Sequence, residues 1–256
     1  MKFIIIQLLN IINTSSENET DHILAEYMLH HLKEMQDMTI YQISDQCYVS
    51  TATISRFVRH LGYKNFNQLR DNLEWSNQFK EIFYYMPEMN NLIDYKEKVK
   101  DSLDHSADLL DERQLSRILS FIHSANIISI NAVSVTHAIA FQLQLFLMEL
   151  NKQVYSYTHI KQQIDLIRSL KQGDLIIILS VRGNFLQEII SELKEAKARH
   201  VKIVLLTLTK DIKFAEYIDE ILVCGDHEDY EYGYYIFLMF IHYLSSCYQK
   251  KYPNLS

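Results

Sequence analysis

The chain has 256 residues, 48% of them apolar, and its 25 Lys and Arg against 32 Asp and Glu give a formal net charge of −7. That length is ample for two domains with packed cores. The acidic balance excludes a protein that coats nucleic acid or anionic membrane indiscriminately, although it allows a local basic face. Cys47, Cys224 and Cys247 are odd in number, widely spaced and in no paired motif. They point to neither a disulfide framework nor a zinc site, and a reducing, cytoplasmic setting is expected.

The N-terminal MKFIIIQLLNII has the outline of a short signal-peptide core behind Lys2. The polar run that follows offers no small-x-small cleavage site, and the apolar run is too short to span a bilayer. Ile5, Leu8, Leu9 and Ile12 fall at helical spacing, so a packed helix is expected. Asp21 is placed to cap a second helix whose Ile23, Leu24, Tyr27, Met28 and Leu32 share a face. Thr39 is placed to cap a third over IYQISDQC, with Ile40, Ile43 and Cys47 inward.

The stretch CYVSTATISRFVRHLGYKNF follows at 47–66. Ser50 stands as an N-cap after a tight turn, and Ile54, Phe57, Val58 and Leu61 form the apolar stripe of the helix it starts. Thr51, Thr53, Ser55, Arg56 and Arg59 then face outward. A short helix, a tight turn and a second helix with hydroxyls at its start make the helix-turn-helix layout, whose second helix enters the major groove N-terminus first. Hydroxyls and a helix N-terminus hold phosphates, and an Arg one turn in reaches guanine edges. Between Asp45 and Asp71 there is no acidic residue, while Arg56, Arg59, Lys64 and Arg70 all fall there. This is a local cationic face inside an acidic chain. Periodicity alone also fits an ordinary amphipathic helix with solvated arginines.

A further helix, FNQLRDNLEW, is expected after Gly62, and residues 78–94, with one of the two prolines, read as a linker with some helix in it. From 95 the pattern changes. After helical lead-ins at 95–110 and 112–123 come β-branched-rich runs at 126–131, 153–157, 174–180, 202–208 and 220–224, separated by helical segments at 134–149, 160–170, 185–198 and 211–217. Runs without polar alternation read as buried parallel strands, and the segments between them suit right-handed crossovers. The expected fold is thus an all-α helix-turn-helix domain (1–77), a linker (78–94), and a doubly wound α/β domain with a five-stranded parallel sheet (95–256). The last segment is apolar nearly all round over about 13 residues, too short for a membrane span, and is expected to be buried on both sides, by the domain and a second subunit.

TATISRFVRHLGYKNFNQLR resembles the helix-turn-helix of the RpiR/MurR family of bacterial transcriptional regulators, through its ISRF and LGYKNF segments, and the resemblance extends over roughly residues 1–80. It implies that Ser50, Thr51, Thr53, Ser55, Arg56, Arg59 and Lys64 meet an operator in double-stranded DNA. It further implies a C-terminal SIS domain, a sugar-isomerase-like α/β fold that binds phosphosugars, and a homo-oligomer (dimer or tetramer) controlling carbohydrate genes. The second half resembles SIS domains in architecture more than in motif. Where the family has a G-x-G-x-S loop, Ala132, Ser134 and Thr136 stand here. The family's S-x-S-G-x-T loop reads SVRGNF, keeping Ser180 and Gly183 but placing Arg182 and Phe185 where hydroxyls belong. Near THIKQ, His159 survives and Tyr157 replaces an Asp.

The resemblance therefore gives Ser134, Thr136, His159, Ser180, Arg182, Gly183 and Asn184 as ligand-binding candidates. Lost glycines restrict close backbone approach, while Arg182 offers a charge-assisted phosphate contact in place of the missing hydroxyls. Two outcomes stay open: an altered ligand site built on Arg182, or a site closed by Phe185, leaving a domain that only dimerises. Isomerase chemistry needs a general base, and His159, Glu188 and the acidic run at 226–231 are candidates. Each also reads as a surface His, a helix-face Glu or a solvated loop, so no catalysis is expected. No metal or cofactor is expected either, since the histidines, His30 and His31 included, lack ligand spacing.

Overall fold

A computed structural model describes residues 4–71, 73, 91–133 and 135–253. The chain divides into two compact units, Met1–Phe83 and Tyr84–Ser256.

In the first unit α1 (Ile4–Thr14) packs on α2 (Thr20–His30). The buried face of α1 is Ile4, Ile5, Leu8 and Ile11, whereas Leu9 is exposed and Ile12 only half-buried. The face is rotated from the expected one because IIIQLLNII is apolar on every side, so packing rather than periodicity selects the stripe. Asp21 does not cap α2. The N-cap is Glu19, without a side-chain bond, and Asp21 lies in the first turn, where a carboxylate suits the helix dipole. From there its Oδ2 meets His60 Nδ1 at 3.3 Å.

Thr39 does cap α3 (Ile40–Cys47), through a reciprocal box: the Gln42 N–H donates to Thr39 Oγ1 at 3.3 Å and the Thr39 N–H donates to Gln42 Oε1 at 2.8 Å. After a short turn α4 (Thr51–His60) begins. It ends at Gly62, whose φ of 85° lets Gly62 N–H reach Arg59 O and Tyr63 N–H reach Val58 O, the paired bonds of a left-handed helix terminus. α5 (Phe66–Asp71) follows. Leu24, Met28, Ile43, Ile54, Phe57, Leu61 and Leu69 form one core. Most of the expected linker lies outside the described residues.

The second unit opens with α6 (Leu92–Asp108), capped by Asn91 Oδ1, which accepts from the Ile93 and Asp94 N–H groups. This is earlier than the expected start at 95. Next come α7 (Glu112–Ser124), β1 (Ile127–Ala132), α8 (Val135–Glu149), β2 (Gln153–Tyr155), α9 (Ile160–Ser169), β3 (Leu175–Leu179), α10 (Leu186–Ala198), β4 (Lys202–Thr207), β5 (Glu220–Val223) and α11 (Gly233–Lys251). The sheet is parallel throughout, in the order β2-β1-β3-β4-β5. Its two faces carry separate cores. Ile128, Ile130, Leu175, Ile177, Leu179 and Leu206 pack with α7, α8 and α11, while Ile176, Ile178, Ile203 and Leu205 pack with α9 and α10.

One expectation fails here. No α-helix spans 211–217: Phe214 takes a left-handed φ of 69°, and only a 3-10 turn, Ala215–Tyr217, forms. Ile212 and Phe214 pack against the α9/α10-side core, so a loop covers that part of the sheet instead of a helix. The last helix, α11, is enclosed by its own unit on one side. Ile236, Phe237, Phe240, Ile241, Leu244 and Tyr248 face the core, while Tyr234, Tyr235 and Tyr243 are exposed in the single chain. Among the described residues, no helix is long and apolar enough to cross a membrane.

Candidate functional site

The α4 surface is built from its cap outward. Ser50 Oγ accepts from the Thr53 N–H at 3.1 Å and lies 2.9 Å from Thr53 Oγ1, so these two hydroxyls engage each other as well as the helix end. Thr51, Thr53 and Ser55 are half-buried, and Arg56, Arg59 and Lys64 are exposed. Arg59 Nε donates to Ser55 O at 3.2 Å, laying that side chain along its own helix. The Lys64 N–H donates to Gln68 Oε1 at 2.6 Å, which fixes the backbone from which its ammonium projects.

In the second unit the strand order reverses between β1 and β3, so their following connections leave in opposite directions and open a crevice at the carboxyl ends of the strands. The described candidate ligand residues belong to the loops around it. Ser134 lies outside the described residues. Thr136 is buried, and its hydroxyl donates to Val133 O at 2.6 Å, closing the turn into α8. Ser180 is buried at the end of β3, where its Oγ accepts from the Phe185 N–H at 3.4 Å.

Gly183 has φ +72°, a conformation that calls for glycine, and a Cβ there would stand 3.0 Å from the Ile212 Cδ1 methyl, which would have to shift. Its N–H donates to Ser180 O at 3.2 Å, and that donor is therefore already used in the turn. Asn184 and Arg182 are exposed, and the Arg182 guanidinium lies 4.8 Å from the centroid of the Tyr230 ring. Phe185 is buried in the α9/α10-side core. His159 is half-buried at the N-cap of α9 and makes no capping bond.

Three groups near the same strand ends escape sequence reasoning. Gln163 is buried, and its Nε2 donates to Ala132 O at 3.0 Å and to Tyr157 O at 2.7 Å, tying the exits of β1 and β2 together. Asn131, buried on β1, donates to Ser129 Oγ at 2.9 Å. His137 Nε2 lies 3.4 Å from Ser156 Oγ, and burial holds its imidazole below the ordinary range against the opposing backbone bonds of Tyr157 and Ser156. The available signal is the polar pair Ser129 and Asn131 inside an otherwise apolar strand.

The acidic run at 226–231 is not simply a solvated loop. It forms a 3-10 turn, His227–Tyr232, with Asp229 buried. His105 on α6, Asp226 and Asp229 bring ligand-type atoms within 4.8 Å of one another, beside a cavity of about 460 Å³. Asp229 Oδ2 already meets His105 Nδ1 at 2.9 Å and accepts from the Asp226 N–H at 3.0 Å. Asp226 Oδ1 accepts from the Glu228 N–H at 2.9 Å. These bonds fasten α6 to the turn. Glu188 is exposed on α10.

Residues 6–80 match the helix-turn-helix domain of the rpiR family, and residues 121–247 match the SIS domain. An HTH-type transcriptional regulator of Caldanaerobacter subterraneus, TTE0211, is 22% identical over 200 residues, covering 76% of this chain and 71% of that one. The HTH-type transcriptional regulator YbbH of Bacillus subtilis is 23% identical over 194 residues, covering 72% and 67%. Among solved structures, the Vibrio vulnificus NanR protein complexed with ManNAc-6P shares the fold, with a TM-score of 0.59 and 21% identity over 98% of this chain and 93% of that one.

Proposed function

This chain belongs to the RpiR family of helix-turn-helix transcriptional regulators with a SIS domain, and we propose that it binds operators of carbohydrate-metabolism genes and senses a phosphosugar. The observation that carries the reading is α4: a capped N-terminus, half-buried hydroxyls along its first turns, and Arg56, Arg59 and Lys64 exposed. Ser50, Thr51, Thr53 and Ser55 would hold phosphates and fix the register, with Arg56 reaching a base edge.

Arg56→Ala is expected to cost ~1–3 kcal/mol on an operator recovered by selection from random duplexes, and to relax specificity at one position per half-site. Lys64→Ala is expected to weaken all sequences alike and flatten the salt dependence. Gel shifts at fixed salt, repeated over a salt series, check both. Unchanged affinity in both variants counts against α4 as the reading helix.

For the effector, the strand-order reversal and the loops beside it support a site formed by Thr136, His159, Ser180, Arg182 and Asn184, with Gly183 shaping the turn; Ser134 is added from the sequence alone. The NanR structure contains a phosphosugar, and Arg182 supplies the charge that a phosphate needs. A phosphorylated sugar or sugar acid at about 100 times its Kd should stabilise the unit by ~2.7 kcal/mol. That corresponds to a rise in Tm of about 5–10 °C. Arg182→Ser should abolish the rise. If no phosphosugar in a panel shifts Tm, the buried Phe185 favours the second reading, in which this unit only dimerises. We read the unit as non-catalytic because Glu188 lies on the exposed surface of α10, while Asp229, the buried carboxylate of the acidic run, is already engaged by His105 and by the Asp226 N–H in fastening α6 to the turn. A general base works best where burial and neighbours tune its pKa, and an exposed carboxylate lacks that tuning.

A further inference from the structure

Tyr48 closes α3 in a left-handed conformation, φ 54° and ψ 38°. The Tyr48 and Val49 N–H groups both donate to Ser44 O, which makes Tyr48 the left-handed terminal residue that is usually glycine. The same unit uses glycine for this task at the end of α4, where Gly62 has φ 85°. An L-residue with a bulky side chain is strained there, because its Cβ crowds the neighbouring carbonyl.

Burial does not offset that strain. Phe214, another aromatic residue with positive φ, packs its side chain against a core, whereas Tyr48 is 95% exposed. The sequence thus holds a large aromatic side chain where both the backbone and the solvent disfavour it. Its position supplies a partner: Tyr48 lies two residues before the Ser50 cap of α4, the helix that carries exposed Arg56 and Arg59. A strained residue beside a binding surface is a reason to look for function.

We infer that Tyr48 is a DNA-backbone contact, its phenol hydroxyl donating to a phosphate oxygen and its ring lying against the adjoining deoxyribose. Tyrosine is among the side chains that make such contacts, which set the protein's register without reading sequence. The inference rests on the reading of α4 as the DNA-entering helix. It adds a neutral contact on the turn to the charged contacts on the helix. A neutral donor releases no counterion of its own, so it contributes affinity without steepening the salt dependence.

The test uses the full chain and a duplex of about three helical turns, of arbitrary mixed sequence, at low salt, because a backbone contact does not need the operator. Tyr48→Phe is expected to weaken binding about ten-fold, the effect of losing one hydrogen bond to a charged acceptor, and to leave the salt slope unchanged. Tyr48→Gly is expected to weaken binding at least as much, while its Tm equals or exceeds that of the parent because the backbone strain is relieved. Parent affinity in both variants overturns the inference. So does a loss in Tyr48→Gly alone, since the phenol hydroxyl would then contribute nothing. A parent chain that binds no duplex at low salt rejects the DNA-binding reading itself, and this inference with it.

Discussion

Phe57→Ala is expected to unfold the helical unit while the sheet unit stays folded. Phe57 is 1% exposed and lies in the core with Ile43, Ile54, Leu61 and Leu69. Emptying so large a buried site loses transfer free energy and leaves a cavity, together ~3–5 kcal/mol. A unit of this size has a narrow margin, since whole domains are stable by only ~5–15 kcal/mol and small ones lie at the low end. Among the described residues, the core of the helical unit shares no residue with the two cores of the sheet unit. Calorimetry of the full chain should therefore show the helical transition lowered by on the order of 15–30 °C and the sheet transition in place. Duplex binding should disappear with the first. A lowering of less than about 5 °C would show that the core around Phe57 repacks, contrary to this expectation.

Another large effect is expected at α8. Phe141, Leu145 and Met148 are 54%, 44% and 54% exposed, and their spacing of four and three residues puts them on one face. The exposed tyrosines of α11 are partly committed inside the unit: Tyr243 Oη donates to Glu112 at 2.7 Å and Tyr95 Oη donates to Tyr235 Oη at 3.0 Å. We propose the α8 stripe as a contact surface of the homo-oligomer, beside the last helix that the sequence suggested, whose Tyr234, Tyr235 and Tyr243 also remain exposed. A single helix-turn-helix has a short footprint, so at least a dimer is expected on paired half-sites.

Phe141→Glu with Leu145→Glu should then convert the oligomer to monomer at micromolar concentration in light scattering, because burying two unpaired carboxylates costs several kcal/mol. The helical content should not change, since both positions are exposed in the protomer. An oligomer that survives the double substitution would return the contact to the exposed face of α11.

Some of these features were legible in the residues. The apolar runs at 126–131, 174–180 and 202–208 became β1, β3 and β4 because a parallel strand covered on both faces needs apolar residues at nearly every position. Thr39 and Ser50 were readable as caps because capping is local, a hydroxyl reaching an N–H three residues ahead. The residues at 211–217 misled because their composition suits a helix, while the left-handed Phe214 and its packing with Ile212 are set by the sheet face beneath them.

Residue type and short spacing were enough for the α3–turn–α4 layout with its cationic side chains, for the strand runs, and for the departures in the loops after β1 and β3. Packing in three dimensions settled which face of α1 is buried, that Asp21 meets His60, and that Gln163 joins the exits of β1 and β2. It also left the exposed apolar stripe on α8, because α11 turns its own apolar face into the core. Most of these outcomes depend on pairs far apart in sequence. No local periodicity encodes the partner that an apolar stripe or a buried polar group meets on folding.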